Sequence, residues 1–258
     1  MTTIERPEAA RRVLATARSA SWRGLIVQPI AIIAVLTGFV VWLSLAPITA
    51  TERTTLAPRA LWTATLQHLS LTFVSAVLVL AIAIPLGVLL TRHRFRRLGA
   101  PILAIANIGQ AAPAIGLVVL LAIFITSGYW ASVLALVLYA ALPVLRNTMI
   151  GVRGVDERLV EAGRGMGMSS MSVLFRIELP LAVPVMLAGI RTALVLLVGT
   201  AALAAFVNGG GLGILIVTGV NLYLYSVLVS GALLIALLAL SIDWLGRIVE
   251  QVARPKGL

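Results

Sequence analysis

The sequence contains no cysteine, a single lysine (Lys256) and two histidines, and only 11% of its 258 residues are charged. Without cysteine, the chain can form neither a disulfide nor a thiolate zinc site. A phosphate-binding loop needs Gly-Lys-Ser or Gly-Lys-Thr, and neither occurs here. Soluble domains have about 25% charged residues, so the composition argues against a soluble enzyme.

The composition is that of a membrane protein, with 60% hydrophobic residues and a mean hydropathy of +1.08. A helix needs about 20 apolar residues to cross the hydrocarbon core. Six runs approach or exceed this length: Leu25–Ala46, Leu69–Leu90, Ala100–Thr126, Ala131–Leu145, Leu181–Val207 and Leu222–Leu245. The fourth run is short, and Pro113 and Pro184 interrupt the third and fifth. We predict an all-α polytopic membrane protein with about six transmembrane helices, with five or seven as alternatives.

The basic residues fall almost entirely on one side of these runs. Of the 20 Lys and Arg residues, only Arg53 and Arg59 lie on the other side, and Arg191 lies inside the fifth run. Because cytoplasmic loops carry the excess of Lys and Arg, this pattern places both termini in the cytoplasm.

The chain divides into three parts on this map. Residues 1–24 are a basic cytoplasmic segment, either an interfacial helix or a disordered tail. Residues 25–246 form a single transmembrane domain that includes a long polar loop, 146–180. Residues 247–258 are a cytoplasmic tail. The apolar run of the first span is too long for a signal peptide, so we expect it to be retained.

The loop 146–180 has the pattern of two short helices joined by a glycine turn. Asp156 can cap the first helix, and Gly167 can supply a left-handed C-terminal turn. Ser169 or Ser170 can cap the second helix, and Leu179-Pro180 is predicted to end it. Such an elbow is suited to docking into a groove on another protein, whereas a plain connection is the alternative.

The residues of this loop match a known signature. Glu161-Ala162-Gly163, three residues, Gly167, nine residues, Ile177, any residue and Leu179-Pro180 resemble the cytoplasmic motif of permeases of binding-protein-dependent ABC importers. One position departs, because Gly163 stands where a second alanine is usual. Glycine is also small, so close docking is kept, at about 1 kcal/mol in helix propensity.

The resemblance extends from about Leu66 to Trp244. Segments 107–116, 142–148, 189–193 and 209–213 look like the glycine betaine/carnitine/choline group of these permeases. The resemblance implies a type I ABC importer permease (MetI-like) fold. It also implies that the loop is a coupling helix, whose motif residues are Glu161, Ala162, Gly163, Arg164, Gly167, Leu179 and Pro180. Leu159, Val160, Met166 and Met168 are further candidates for apolar contact with a partner.

The resemblance also implies the partners and the location. A cytoplasmic ABC ATPase would bind ATP and magnesium, so this chain would hold no cofactor and perform no catalysis. A second permease subunit, identical or different, and an extracytoplasmic solute-binding protein would complete an importer for glycine betaine, choline or carnitine. The complex would lie in the bacterial cell membrane, with lipid and without nucleic acid as a partner.

Polar residues inside the spans are candidates for the translocation pathway, because polar groups in hydrocarbon usually face protein or water. Asn107, Gln110, Pro113 and Tyr139 are the candidates, with helix–helix hydrogen bonding as the alternative. Gly209, Gly210 and Gly211 are predicted to form a flexible turn near an outer gate.

The remaining ionisable residues have simpler explanations. Arg191 is predicted to reach the inner face or to pair with an acid such as Glu178. Asp243 and Arg247, four residues apart, are predicted to pair. His68 and His93 fall at opposite ends of the membrane, so no metal site is expected, and both are read as ordinary surface residues.

Three other functions stay open. The chain could serve an importer of another small solute, such as an amino acid or a sulfonate. It could be a membrane scaffold that recruits a partner without transport. An ion-driven carrier is disfavoured, because the spans contain almost no acidic residues.

Overall fold

The computed structural model describes residues 22–253. Within these residues the regular elements are all helical, as the sequence predicts. The predicted basic segment 1–24 lies outside the described residues, apart from its last three positions, which begin the first helix. Five residues of the predicted tail, 254–258, also lie outside them.

Eleven α-helices follow one another within the described residues. They are α1 Trp22–Leu45, α2 Ala50–Thr55, α3 Pro58–Thr91, α4 Gly99–Ala111, α5 Ala114–Phe124, α6 Gly128–Arg153, α7 Glu157–Gly165, α8 Ser170–Val173, α9 Leu179–Ala201, α10 Gly213–Asn221 and α11 Tyr225–Val252. Short 3-10 turns occupy Arg96–Leu98 and Ala202–Val207, and a π-helical turn occupies Leu174–Glu178.

The centre of the bundle is α6, which packs between α3 and α9. These three helices supply most of the main apolar core, including Leu71, Val79, Leu136, Val144 and Leu197, each at most 2% exposed. Because lipid tails are as apolar as leucine, close packing rather than exclusion of water holds these helices together.

Glycines bring the three central helices close to one another. A Cβ added at Gly87 of α3 would lie 2.8 Å from the Thr148 side chain of α6. A Cβ at Gly189 of α9 would lie 2.7 Å from the Pro143 carbonyl oxygen, also of α6. Small residues permit such backbone approach between transmembrane helices, and here they fix the positions of α3 and α9.

The helix α11 packs against α9 and α10 and carries α1 on its outside. The indole N–H of Trp244 donates to the Leu25 carbonyl at 2.8 Å, and the side-chain amide of Gln28 donates to the Leu240 carbonyl at 3.0 Å. Most of the other side chains of α1 are exposed, so α1 is a peripheral helix in a single copy of the chain.

Within residues 22–253, five helices are long and apolar enough to cross a membrane, and there are six crossings if one bent pair of helices counts as a single span. The pair is Arg96–Ala111 with Ala114–Phe124, bent by 97° at Pro113. The pair begins beside the C-terminal end of α6, where Gly99 is close to Met149 and Arg153. It is followed by Gly128, which lies against the Val207 carbonyl and begins α6 at the opposite end of the bundle. The pair therefore connects the two ends of the bundle, as the predicted interruption of the third span requires.

Two details of the predicted spans are wrong. The fourth span is not short: α6 runs over 26 residues, because Arg146 and Asn147 continue the helix beyond its apolar part. Pro184 does not break the fifth span, since it lies within α9 near the start of that helix.

Most of the described basic residues gather at the end of the bundle where α3, α6 and α11 finish and α9 begins, which we call the arginine-rich end. Here Arg191 contacts Glu250 at 2.9 Å and Asp243 at 3.6 Å, and Arg247 contacts Asp243 at 2.7 Å. The predicted Asp243–Arg247 pair is confirmed. The predicted pairing of Arg191 with an acid is confirmed, but the acids are Glu250 and Asp243 of α11 and not Glu178.

The short helix α2 lies at the opposite end and is tied to α11. The carboxylate of Glu52 accepts hydrogen bonds from the Ser226 hydroxyl and from the backbone N–H of Thr49, the latter at 2.7 Å. These bonds, first that of Ser226 and then those of Thr49, hold the pKa of Glu52 below its ordinary value because they favour the charged form.

Replacing Gly189 by alanine should destabilise the bundle, whereas the same change at Gly199 of the same helix should not. A Cβ at Gly189 would clash with α6, while no atom lies within 4 Å of a Cβ at Gly199. We expect overpacking in G189A to lower the free energy of unfolding by about 1–3 kcal/mol. Thermal unfolding midpoints of both variants in detergent check this, and equal midpoints would contradict the close contact of α9 with α6.

Candidate functional site

The segment between α6 and α9, residues 154–178, forms an elbow at the arginine-rich end. Its first helix, α7, is capped by Asp156, whose carboxylate accepts from the Arg158 N–H at 2.9 Å. Its second helix, α8, is capped by Ser169, whose hydroxyl accepts from the Ser172 N–H at 3.2 Å. Both predicted caps are therefore confirmed, and each satisfies a backbone donor that a helix leaves free at its start.

Gly167 makes the turn between the two helices. Its φ is +83°, in the left-handed region that glycine adopts without strain. The N–H of Gly167 donates to the Arg164 carbonyl at 2.9 Å, and the N–H of Met168 donates to the Gly163 carbonyl at 3.1 Å. These two bonds form a Schellman motif, which satisfies carbonyls at the end of α7.

The second half of the elbow is continuous with α9. The prediction that Leu179-Pro180 ends this helix is wrong, because α8 passes through the π turn Leu174–Glu178 directly into α9. The N–H of Leu179 donates to the Leu174 carbonyl, five residues back. Pro180 directly follows this π turn and lies in the first turn of α9. The elbow is thus joined to α9 by continuous helix.

The signature residues contact one another inside the elbow. Gly163 is buried, and a Cβ at this position would lie 2.6 Å from the Cδ1 atom of Ile177 and 3.5 Å from Val173. The second helix therefore packs closely on α7. The glycine at the position where alanine is usual leaves this contact uncrowded, because an alanine methyl would displace the end of the Ile177 side chain.

The outer face of the elbow presents polar and apolar side chains together. The signature residues Glu161, Ala162 and Arg164 are exposed. Of the predicted apolar contact residues, Leu159 and Met166 are exposed, at 48% and 75%, whereas Val160 and Met168 are half-buried.

The sequence analysis missed Met171 and Phe175, which are 65% and 61% exposed. Both are apolar residues in a polar, capped segment outside the long apolar runs, and this position could have identified them as candidates for contact with a partner. Exposed apolar side chains on such a segment favour contact with another protein.

Two further contacts join α3 to its neighbours at this end, one to the elbow and one to α6. The guanidinium of Arg92, the residue after α3, makes a bidentate ion pair with Glu178, the last residue of the π turn. The guanidinium of Arg153, at the end of α6, donates to the Leu90 carbonyl of α3 at 3.1 Å. All three central helices are therefore connected at this end.

The glycine turn at the opposite end is held in place. Gly210 and Gly211 have φ values of +84° and +92°, so the turn depends on glycine. The side-chain oxygen of Gln67 in α3 accepts from the Gly211 N–H at 3.1 Å. Gly209 is buried, and a Cβ there would lie 2.7 Å from the Ser132 hydroxyl of α6. The expected flexible turn is thus a turn with fixed contacts to two core helices.

His68 is not the surface residue that the sequence analysis expects, whereas His93 is exposed as expected. His68 is fully buried, and its Nε2 lies 2.9 Å from the Val198 carbonyl oxygen of α9. Because a carbonyl only accepts, this nitrogen carries the proton. His68 therefore ties α3 to α9 beside the glycine turn. Its place within a long apolar helix was a sign of burial that the sequence reading did not use.

The four candidate pathway residues do not share one cavity. Tyr139 lines a cavity of about 10 Å³ between α5, α6 and α9, which is near the lower limit for one water molecule. Asn107 and Gln110 lie on α4 outside that cavity, and Asn107 is exposed. Pro113 lies at the bend between α4 and α5. Their role in a pathway stays a prediction.

Comparison with known proteins gives a consistent result. The family described as binding-protein-dependent transport system inner membrane component matches residues 83–255. The Bacillus subtilis glycine betaine/carnitine/choline transport system permease proteins OpuCB and OpuCD are 38% and 36% identical to this chain. Each alignment covers 74% of this chain, and the two alignments cover 88% of OpuCB and 85% of OpuCD. The Salmonella typhimurium osmoprotectant import permease protein OsmW is 39% identical over 75% of this chain and 92% of its own length.

The fold is similar to that of a solved transporter. A chain of the inward-facing MetNI methionine ABC transporter superposes with a TM-score of 0.69 at 26% identity, covering 81% of this chain and all of that one. The predicted MetI-like permease fold is confirmed.

Replacing Gly167 by alanine should loosen the elbow, whereas the same change at Gly165 should not. Neither added Cβ would meet an atom within 4 Å, but only Gly167 has a positive φ. An alanine forced into the left-handed region costs about 1–2 kcal/mol. Hydrogen exchange of residues 157–173 should therefore be faster in G167A than in G165A, and identical exchange in the two variants would contradict the observed turn.

Proposed function

The chain belongs to the family of binding-protein-dependent transport system inner membrane components, whose members are transport subunits and not enzymes, and from this premise we propose that it is the permease of an ATP-driven importer of compatible solutes. The proposed solute is glycine betaine, choline or carnitine. The observation that carries this choice is the similarity, over about three quarters of the chain, to permeases named for these solutes.

The elbow is proposed as the docking element for a cytoplasmic ATPase. It carries the family's signature, and its outer face exposes Leu159, Met166, Met171 and Phe175 beside charged residues. Methionine side chains adapt well to such contacts. The concentration of arginines at this end favours a cytoplasmic location. ATP and magnesium would bind to the partner, because this chain has a single lysine and no phosphate-binding loop.

The working unit is proposed to contain two permease subunits, each of which presents one elbow to one ATPase. Asn107 of α4 is exposed in a single chain, which supports a pathway completed by the second subunit. An extracytoplasmic binding protein would deliver the solute to the end that carries the glycine turn. Gly209, Gly210 and Gly211 would then lie at the outer gate.

The mechanism follows from how the elbow is connected. When the ATPases close on ATP, they would move the two elbows. Because α8 continues into α9 and α7 follows α6 closely, the displacement reaches the central helices directly. The close packing of α6 with α9 resists bending, so these two helices would move together and open the pathway outward. Hydrolysis would allow the return.

The first experiment is uptake of labelled glycine betaine into proteoliposomes that contain the full complex with its ATPase and binding protein. We expect uptake that depends on ATP and that excess choline or carnitine reduces. Absence of betaine uptake, with ATPase activity still stimulated by the loaded binding protein, would reject the solute class and keep the importer. Failure of the chain to assemble with an ATPase would instead favour a membrane scaffold.

Replacing Gly167 by aspartate should abolish most ATP-driven uptake while leaving membrane insertion intact. Aspartate tolerates a positive φ better than most residues, so the added charge on the docking face is the main change. Q251D adds the same charge near the end of α11, at the arginine-rich end but outside the elbow, and serves as the control. Normal uptake by G167D would count against the elbow as the ATPase contact.

A further inference from the structure

The helix α3 is the only one of the three core helices without a direct chain connection to the elbow. The chain enters the elbow from α6 and leaves it into α9, whereas α3 ends some 60 residues earlier in the sequence. Nevertheless, the residue that follows α3, Arg92, reaches the elbow. It does so by pairing with Glu178, which occupies the unspecified position between Ile177 and Leu179 of the signature.

The Arg92–Glu178 pair has the geometry of a strong contact. The Nη1 atom of Arg92 donates to Oε1 of Glu178 at 3.2 Å, and Nη2 donates to Oε2. The side chain of Glu178 is only 8% exposed, whereas that of Arg92 is 33% exposed. A bidentate pair fixes orientation as well as distance. Separating it would leave a buried carboxylate without its partner, which is strongly unfavourable, so the two groups should stay together when the elbow moves.

The other end of α3 holds the glycine turn. Gln67 accepts from the Gly211 N–H, and His68 donates to the Val198 carbonyl. Residues 67 and 92 are separated by about 38 Å along the helix axis at the usual rise of 1.5 Å per residue. One helix therefore links a contact of the elbow to a contact of the turn on the far side of the bundle.

We propose that the Arg92–Glu178 pair connects the elbow to α3, and that α3 carries the displacement of the elbow to the glycine turn. This proposal rests on the proposed function, since it assigns a path for the ATP-driven movement. Arg92 and Glu178 are positioning residues in this scheme, because neither needs to touch solute or ATP. Gln67 is the matching contact at the outer end.

The first test measures solute transported per ATP hydrolysed in the full complex. We expect E178Q and R92Q to lower this ratio about tenfold, while the ATPase still assembles and hydrolyses ATP. R97Q removes the same charge as R92Q from an exposed position in the neighbouring turn, outside the elbow, and should leave the ratio unchanged. The charge swap R92E/E178R should restore most of the ratio, which a general loss of stability would not allow.

A second measurement does not depend on solute. Because the chain has no cysteine, spin labels can be placed at L89C in α3 and R176C in the π turn, both exposed positions. A second pair, R176C with V185C, reports on the continuous π turn and α9. The distances are measured in the full complex with its ATPase, with and without nucleotide. When the ion pair is intact, we expect the same narrow distribution of distances between labels 89 and 176 in both conditions. In E178Q, we expect this distribution to be broad and to change with nucleotide. The 176–185 distribution should stay the same in both.

The outcomes separate this proposal from the proposed function. Absence of betaine uptake by the unmodified complex would count against the proposed solute, while the distance measurement would still test the link. An unchanged 89–176 distribution in E178Q, or an unchanged transport ratio in E178Q and R92Q, would overturn the link. If the R92E/E178R variant does not insert into the membrane, E178Q and its spin-labelled form alone test the link between the elbow and α3.

Discussion

The structure depends on the close approach of α3 and α9 to α6. In lipid, apolar surface alone does not drive helices together, so the bundle relies on places where backbones and small side chains meet. Gly87 and Gly189 provide two of these places, and a Cβ at either would lie within 3 Å of α6 atoms. Once these helices are fixed, the positions of the elbow at one end and of the glycine turn at the other follow.

The two ends differ in how they are held. At the arginine-rich end, charged groups make the connections: Arg92 with Glu178, Arg191 with Glu250, and Arg247 with Asp243. At the opposite end, hydrogen bonds make the connections, such as that of Gln67 with Gly211 and that of the Ser226 hydroxyl with the Glu52 carboxylate. The arginine-rich end is thus held by ion pairs, whereas the end that carries the glycine turn is held by hydrogen bonds.

The sequence predicted local features well because their causes are local. Asp156 and Ser169 cap helices because their side chains reach N–H groups two or three residues away, and Gly167 turns the chain because it has no Cβ. The spacing of the signature residues identified the elbow, because this spacing is also a local property that can be read along the chain. The predicted end of the second helix at Leu179-Pro180 was wrong, because a π turn precedes the proline and the helix continues through it. Such a turn depends on what the helix packs against.

The sequence by itself determined the class of the protein, the approximate positions of the apolar spans, the elbow and the charge asymmetry, since apolar length, capping residues and arginine positions are readable along the chain. Only the tertiary structure decided which distant residues meet. It paired Glu178 with Arg92 instead of Arg191, buried His68 beside Val198, and fixed the glycine turn on Gln67. Each of these contacts joins helices far apart in the sequence, and the packing of α3 and α9 around α6 sets which of their faces come together.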